Sequence, residues 1–248
     1  MGGPTGCARV PKLRGMDDEA VLEPLSPATG LGVVHLFCRA AGPVDGAAVL
    51  EAEEVARKSG DQVVTAAVLG HKADLALMVL GPDLSRLRAF QSAVVSAGLE
   101  VVSSYVSLTE VSEYAAGVPE AMKQARLYPE LPPEGKRAFC FYPMSKRRGE
   151  EHNWYALDFD ARRDLMMGHG KVGRLFHGRV LQVVTGSTGL DDFEWGVTLF
   201  AVTPDDLKEC VYQMRFDPAS AHYAEFGPFF TGVVAELTAA LAAAVPLR

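Results

Sequence analysis

Residues 62–80, QVVTAAVLGHKADLALMVL, decide the fold. The segments 62–69 and 73–80 read as two apolar strands, interrupted by Gly70-His71-Lys72. Upstream lie a strand, Gly32–Arg39 (GVVHLFCR), and an amphipathic helix over about 46–58. Downstream, a helix over about 83–97 is entered after Gly81-Pro82 and stopped by Gly98, and a strand over 100–108 follows. The order is β-α-β-β-α-β, the split βαβ or ferredoxin-like pattern.

The second half repeats that order. Residues 138–144 read as a strand and 159–176 as a helix, with Asp158 as its N-cap. Strands over 179–185 and 193–203 flank a turn at Gly186-Ser187-Thr188-Gly189, and Pro204 suits the first turn of a helix running to about Met214. A strand near 223–230 and an Ala-rich helix finish the chain. The expected fold class is α+β: two ferredoxin-like (βαββαβ) repeats forming a dimeric α+β barrel within one chain, sheets inside and helices outside. The expected divisions are a mobile tail over 1–28, a first half over 29–116, a connecting loop over 117–137 and a second half over 138–248. The tail is assigned from Pro, Gly and charge without periodicity, and the loop from Pro119, Pro129, Pro132 and Pro133.

Composition narrows the function. With 48% hydrophobic and 22% charged residues, the 248-residue chain is ordinary for a globular protein. A formal charge of −7 argues against nucleic acid as a partner, while leaving room for a small anionic ligand held by local cations. The opening MGGPTGCARVPKLRG lacks the apolar segment of a secretory signal, and no stretch approaches the roughly 18 apolar residues of a membrane span. Cys7, Cys38, Cys140 and Cys210 are far apart with no CxxC pair, so neither a zinc site nor a disulfide framework is indicated. A reducing cytoplasm is the expected location.

Two segments carry chemistry. In Tyr142-Pro143-Met144-Ser145-Lys146, strand alternation puts Tyr142, Met144 and Lys146 on one face: a phenol, a thioether and an ammonium. The bland alternatives are a tyrosine that fills a barrel and a solvated Lys146-Arg147-Arg148 run. Further on, Leu165, His169, Val172 and Phe176 fall at helical spacing, with Gly168 and Gly170 flanking the imidazole. Each glycine costs about 1 kcal/mol relative to Ala in a helix interior. A lone histidine on an apolar face is ordinarily a core residue satisfied by a carbonyl. Against that, no Asp, Glu or second His stands at metal-ligand spacing, and a single imidazole suits haem, whose iron needs one proximal protein ligand. Gln182 shares a face with Val180 and Val184 and is a candidate cavity residue, with plain exposure as the alternative. Trp154 and Trp195 read as core, and the GSTG turn lacks the spacing and Lys of a phosphate loop.

The runs FCFYPMSKRR, HNWYALDFDARRDLMMGHGKVGR, VLQVVTGSTGLDDFEWGVTLFA and MRFDPASAHYAEFGPFFTG resemble the coproheme decarboxylases of the chlorite dismutase-like superfamily. The resemblance is dense over 139–232 and looser over 34–114. It implies a double ferredoxin-like barrel, a homopentamer, and a porphyrin in the C-terminal half. It further implies that His169 is the axial ligand to the porphyrin iron and Tyr142 the catalytic tyrosine. The YPMSK residues Tyr142, Pro143, Met144, Ser145 and Lys146 would be substrate contacts, with Arg126, Gln182 and Ser220. Gln182 stands where true chlorite dismutases carry an arginine, and the loop between Arg126 and Tyr142 is slightly longer than in the family. The implied reaction is hydrogen peroxide-dependent decarboxylation of two propionates of iron-coproporphyrin III (coproheme) to vinyls, giving haem b. A coproporphyrin ferrochelatase is the implied transient partner. A haem carrier or sensor, or a chlorite dismutase or peroxidase-like enzyme, are the competing readings.

Overall fold

The computed structural model describes residues 22–244; most of the expected tail, Cys7 included, lies outside the described residues. The first run comprises β1 (Gly32–Arg39), α1 (Gly46–Lys58), β2 (Gln62–Val68), β3 (Leu75–Gly81), α2 (Leu84–Ser96) and β4 (Glu100–Thr109). A short helix, α3 (Glu120–Leu127), intervenes. The second run comprises β5 (Ala138–Lys146), α4 (Phe159–Arg174), β6 (Val180–Gly186), β7 (Trp195–Ala201), α5 (Pro204–Met214), α6 (Pro218–Ala221), β8 (Ala224–Phe226) and β9 (Phe230–Val234), and α7 (Leu237–Ala244) follows.

The strands form one antiparallel sheet in the order β7-β6-β4-β1-β3-β2-β9-β5, and β5 also pairs with β7, so the ring closes into a barrel. Closure leaves no long free edge. The seams between the two runs are β4–β6, registered at Leu108 with Gly186, and β2–β9, registered at Ala66 with Val234. β8 pairs only with the end of β5, at Met144–Lys146.

Strand alternation sorts side chains between three cores. Phe37, Phe139, Phe141, Phe200 and Phe230 fill the barrel, where the Phe37 and Phe230 rings stack at 3.7 Å. Outside the first run, Val34, Leu36, Val63, Leu75, Leu77 and Val79 meet α1, α2 and α7. Outside the second run, Cys140, Tyr142, Val197 and Leu199 meet Leu207 and Cys210 of α5. Tyr142 therefore lies on the outer wall, not in the barrel.

Four local expectations change. The loop over 117–137 contains α3: Glu120–Leu127 (EAMKQARL) are good helix formers, but only Leu127 is buried, so the segment has almost no apolar period to read. The single strand over 223–230 is two, because Pro228 has no N–H for a ladder and Gly227 packs against the Phe193 and Pro143 rings, in space a Cβ would fill. The strand over 193–203 shortens to Trp195–Ala201, and the carboxylate of Glu194 just before it accepts from the Lys146 N–H at 2.7 Å. Residues 23–25 of the expected tail are tied to the start of α2. There the Leu25 N–H donates to Asp83 and the Ser85 hydroxyl donates to the Glu23 carbonyl.

Candidate functional site

The outer wall of the second run carries most of the candidate site residues. On β5 the even positions face α5 and the β8–β9 segment, so Tyr142, Met144 and Lys146 do share a face. The Tyr142 ring stacks on Phe229 at 4.5 Å and meets Phe226 at 5.6 Å. It is 8% exposed, and burial holds its phenol well above the usual range, so the hydroxyl keeps its proton. Lys146 is 7% exposed. Its ammonium donates to the Ala219 carbonyl at 2.9 Å and sits 4.2 Å over the Trp154 ring. Burial pulls it down to about 8, opposed by the fields of Asp217 and Glu194. Among the described residues it has no carboxylate within ion-pair distance. It is a buried cation still short of an anion.

The odd positions of the motif behave differently. Pro143 packs against Gly227 and accepts from its N–H at 2.8 Å, while the Ser145 hydroxyl accepts from the Glu194 N–H at 3.2 Å. Both serve the other side of the strand, as alternation requires.

His169 projects from α4, which Asp158 caps by accepting from the Ala161 N–H. The imidazole Nδ1 lies 2.8 Å from Asp217 Oδ2, with its side chain 30% exposed and the carboxylate almost fully buried. A ring that donates from Nδ1 keeps its lone pair on Nε2, and a carboxylate partner raises its strength as a ligand. Asp217 also caps α6, accepting from the Ser220 N–H at 3.2 Å, with the Ser220 hydroxyl 3.4 Å away. The turn Asp217–Ser220 is thus the junction of the site: His169 holds one end, and Lys146 reaches the adjoining carbonyl. A shallow depression of about 410 Å³ between α4 and the α5–α6 corner includes Gly168, Val172 and Asp217.

α4 has no buried residue in sixteen, which is unusual for a helix beside a core. A Cβ at Gly168 would come no closer than 3.9 Å to another atom, and at Gly170 no closer than 3.6 Å, to the flexible end of Arg174. Nothing in the chain presses on these glycines, so they leave room for a flat group from outside it. Among the described residues no three His, Cys, Asp or Glu side chains converge on a possible metal site. The donor set is one imidazole with an oriented carboxylate behind it, and it fits a porphyrin iron.

Gln182 faces outward from β6, beneath α5, and its amide donates to the Cys210 sulfur at 3.7 Å. Arg126 is exposed near the end of α3, and the structure does not join it by any hydrogen bond or ion pair to Tyr142, Lys146 or His169. Several neighbours were not legible beforehand. Asp217 had a signal, the Asp-Pro start of a helix, but capping and histidine-holding aspartates look alike in sequence. Trp154 reads as core, and Phe226 and Phe229 carry no signal beyond the expected strand near 223–230. Arg215, whose guanidinium lies 3.7 Å over the Phe226 ring and whose charge reaches Tyr142, had no signal.

The chlorite dismutase family model matches residues 45–235, most of the chain. The chain belongs to the chlorite dismutase family. Its relatives include two proteins named coproheme decarboxylase, from Staphylococcus carnosus (45% identical over 177 residues, covering 67% of this chain and 70% of that one) and Staphylococcus saprophyticus (44% over 175 residues, covering 66% of this chain and 70% of that one). A Natronomonas pharaonis protein named for haem binding is 50% identical over 182 residues; the match spans 66% of this chain but only 30% of that longer protein. Among solved structures, a haem-binding protein from Thermus thermophilus superposes with a TM-score of 0.76 at 33% identity, covering 88% of this chain and 95% of that one. A chlorite dismutase variant from Candidatus Nitrospira defluvii (TM-score 0.71, 23% identity, covering 87% of this chain and 95% of that one) shares the fold. These family members have the double ferredoxin-like architecture described above. No described helix is long and apolar enough to cross a membrane.

Proposed function

We propose that this chain is a coproheme decarboxylase that turns two propionates of iron-coproporphyrin III into vinyls, with hydrogen peroxide as oxidant and haem b as product. The observation that carries the reading is the outward face of β5, which holds a buried, protonated phenol and, further along, a buried ammonium that lacks a carboxylate among the described residues and bonds the turn that holds His169. A carrier of haem has no need of that phenol at that place.

When bound, the substrate's own iron would supply the redox chemistry, with two oxidising equivalents available from each peroxide. The residues divide the remaining work. His169 would hold the iron through the ring nitrogen that Asp217 leaves free, and Asp217 fixes the ring. Lys146 donates a charge-assisted hydrogen bond to a propionate, with Arg215, Arg126, Ser220 and Met144 as further pocket contacts, and so sets which β-carbon faces Tyr142. Tyr142 loses an electron and its proton, and the resulting phenoxyl takes a hydrogen atom from that β-carbon. Loss of a second electron and of carbon dioxide leaves the vinyl. For each propionate, one peroxide and one proton are consumed, and one carbon dioxide and two waters form. Gln182 is neutral and a poor base, so it would not accelerate general peroxidase or chlorite chemistry. The assignment also includes a cytoplasmic homopentamer that receives its substrate from a ferrochelatase, which the resemblance supports.

The test is to load apoprotein with iron-coproporphyrin III, titrate in peroxide, and follow the porphyrin by chromatography and mass spectrometry. Stepwise loss of two carboxyl groups, ending at haem b, is expected. Porphyrin that stays intact or bleaches would point to a carrier.

A further inference from the structure

The second-run wall holds two thiols that this reaction does not use. In register across three strands lie Cys140 on β5, Leu199 on β7 and Gln182 on β6; the next row is Tyr142, Val197 and Val184. α5 lays Cys210 over the first row, where it accepts the Gln182 amide hydrogen at 3.7 Å and packs in one cluster with Cys140, Leu199 and Tyr142. Both thiols are buried and free. Cys140, Cys210 and Tyr142 are thus members of one buried cluster on this wall. Cys38, by contrast, is buried in the separate cluster of the first run.

We propose that Cys140 and Cys210 are a built-in reductant for Tyr142, quenching a phenoxyl radical that finds no propionate to attack. This inference rests on the proposed peroxide chemistry and goes beyond it. In each event the S–H bond breaks and the Tyr142 O–H bond forms; the sulfur is oxidised by one electron to a thiyl and the phenoxyl is reduced to phenol. Dissolved dioxygen then adds to the thiyl, forming an S–O bond and moving the unpaired electron to the outer oxygen of a thiylperoxyl, so the event is recorded as an oxygenated cysteine. Burial pushes both thiols up to about 11, which keeps them as thiols and suppresses direct nucleophilic attack on peroxide. Oxidation that depends on Tyr142 therefore has a separate signature from oxidation by peroxide itself. The device matters most after the second decarboxylation, when haem b occupies the site and peroxide continues to arrive.

The experiment uses the full chain loaded with haem b, mixed with peroxide and freeze-quenched for electron paramagnetic resonance, with peptide mass spectrometry on the same samples. The expected result is a short-lived tyrosyl signal and oxygen on Cys140 or Cys210 but not on Cys38. Oxygenation should fall at least tenfold in Tyr142→Phe, and the tyrosyl lifetime should lengthen several-fold in Cys140→Ser/Cys210→Ser. Equal cysteine oxidation in Tyr142→Phe, or a tyrosyl signal whose decay ignores both thiols, overturns the proposal; the first comparison needs no cysteine variant to fold. Decarboxylation of iron-coproporphyrin III is measured in parallel. A chain that decarboxylates normally but shows no thiol-dependent decay keeps its proposed function and loses the reductant. A chain that shows Tyr142-dependent cysteine oxidation without decarboxylation keeps the reductant and loses the function.

Discussion

The proposed role of Lys146 ties affinity to pH. An anionic ligand would bind the protonated ammonium, and burial has pulled that group down to about 8. Affinity for metal-free coproporphyrin III, which removes iron ligation from the measurement, should fall as pH rises through that value, by roughly tenfold from pH 7 to 9. In Lys146→Met, affinity should be weak and nearly flat over the same range; a slope that survives the substitution would assign it elsewhere. Stability runs the opposite way. Because the folded value is lowered, the unfolded chain binds more protons between about 8 and 10.5, so the apoprotein gains stability as pH rises through that window. Tyr142→Phe should bind iron-coproporphyrin III within about threefold of wild type, since it loses one hydroxyl and no charge, while decarboxylation falls by at least 10². Chromatography of products at saturating substrate decides it. These residues were readable because each departs from what a strand or helix needs: a phenol and a cation at period two, an imidazole between glycines. Asp217 was not, because its role exists only once α4 and α6 meet.

At the scale of the element, α4 is the unusual member. A helix with no buried residue contributes little to folding through its own contacts, and Gly168 and Gly170 cost it further stability. Both have room for a methyl group in the absence of ligand. Gly170→Ala should therefore stabilise the apoprotein by about 0.5–1 kcal/mol. The same methyl would stand in the space proposed for the porphyrin, so affinity for iron-coproporphyrin III should drop, by about tenfold. Thermal melts of the apoprotein and porphyrin titrations should move in opposite directions; if both improve, α4 does not face the ligand. The amphipathic helices and most strands could be read from period and caps, since burial on one face writes itself into spacing. α3 could not, because it buries only Leu127. β8 and β9 merged in the reading because the break at Gly227-Pro228 shows as a turn signal only if the strands part company, and they part for a long-range reason: β9 must pair with β2 to close the ring.

The strands close into one barrel, and among the described residues its interior contains one base. His35 points inward from β1, its Nε2 2.9 Å from the Thr198 hydroxyl and its ring 4.3 Å from that of Phe141. Its Nδ1 has no partner among the described residues. Desolvation pushes the imidazole down to about 3. The folded chain therefore holds His35 neutral while the unfolded chain protonates it near 6.5, so the unfolded state binds the extra proton anywhere between those values. Above about 6.5 the group leaves stability unchanged; below it, stability is lost at about 1.4 kcal/mol per pH unit until about 3. Other groups titrate in the same range, but they do so equally in a variant that differs only at this site. His35→Gln retains a polar partner for Thr198 and cannot take the proton. Between pH 6.5 and 4.5, wild type should lose on the order of 3 kcal/mol more than the variant, a differential fall in Tm of roughly 6–12 °C for a chain of this size. Parallel Tm curves would mean that the barrel opens enough to protonate His35 without unfolding. A steeper wild-type curve would show that the ring of strands melts as one unit around its only interior base among the described residues.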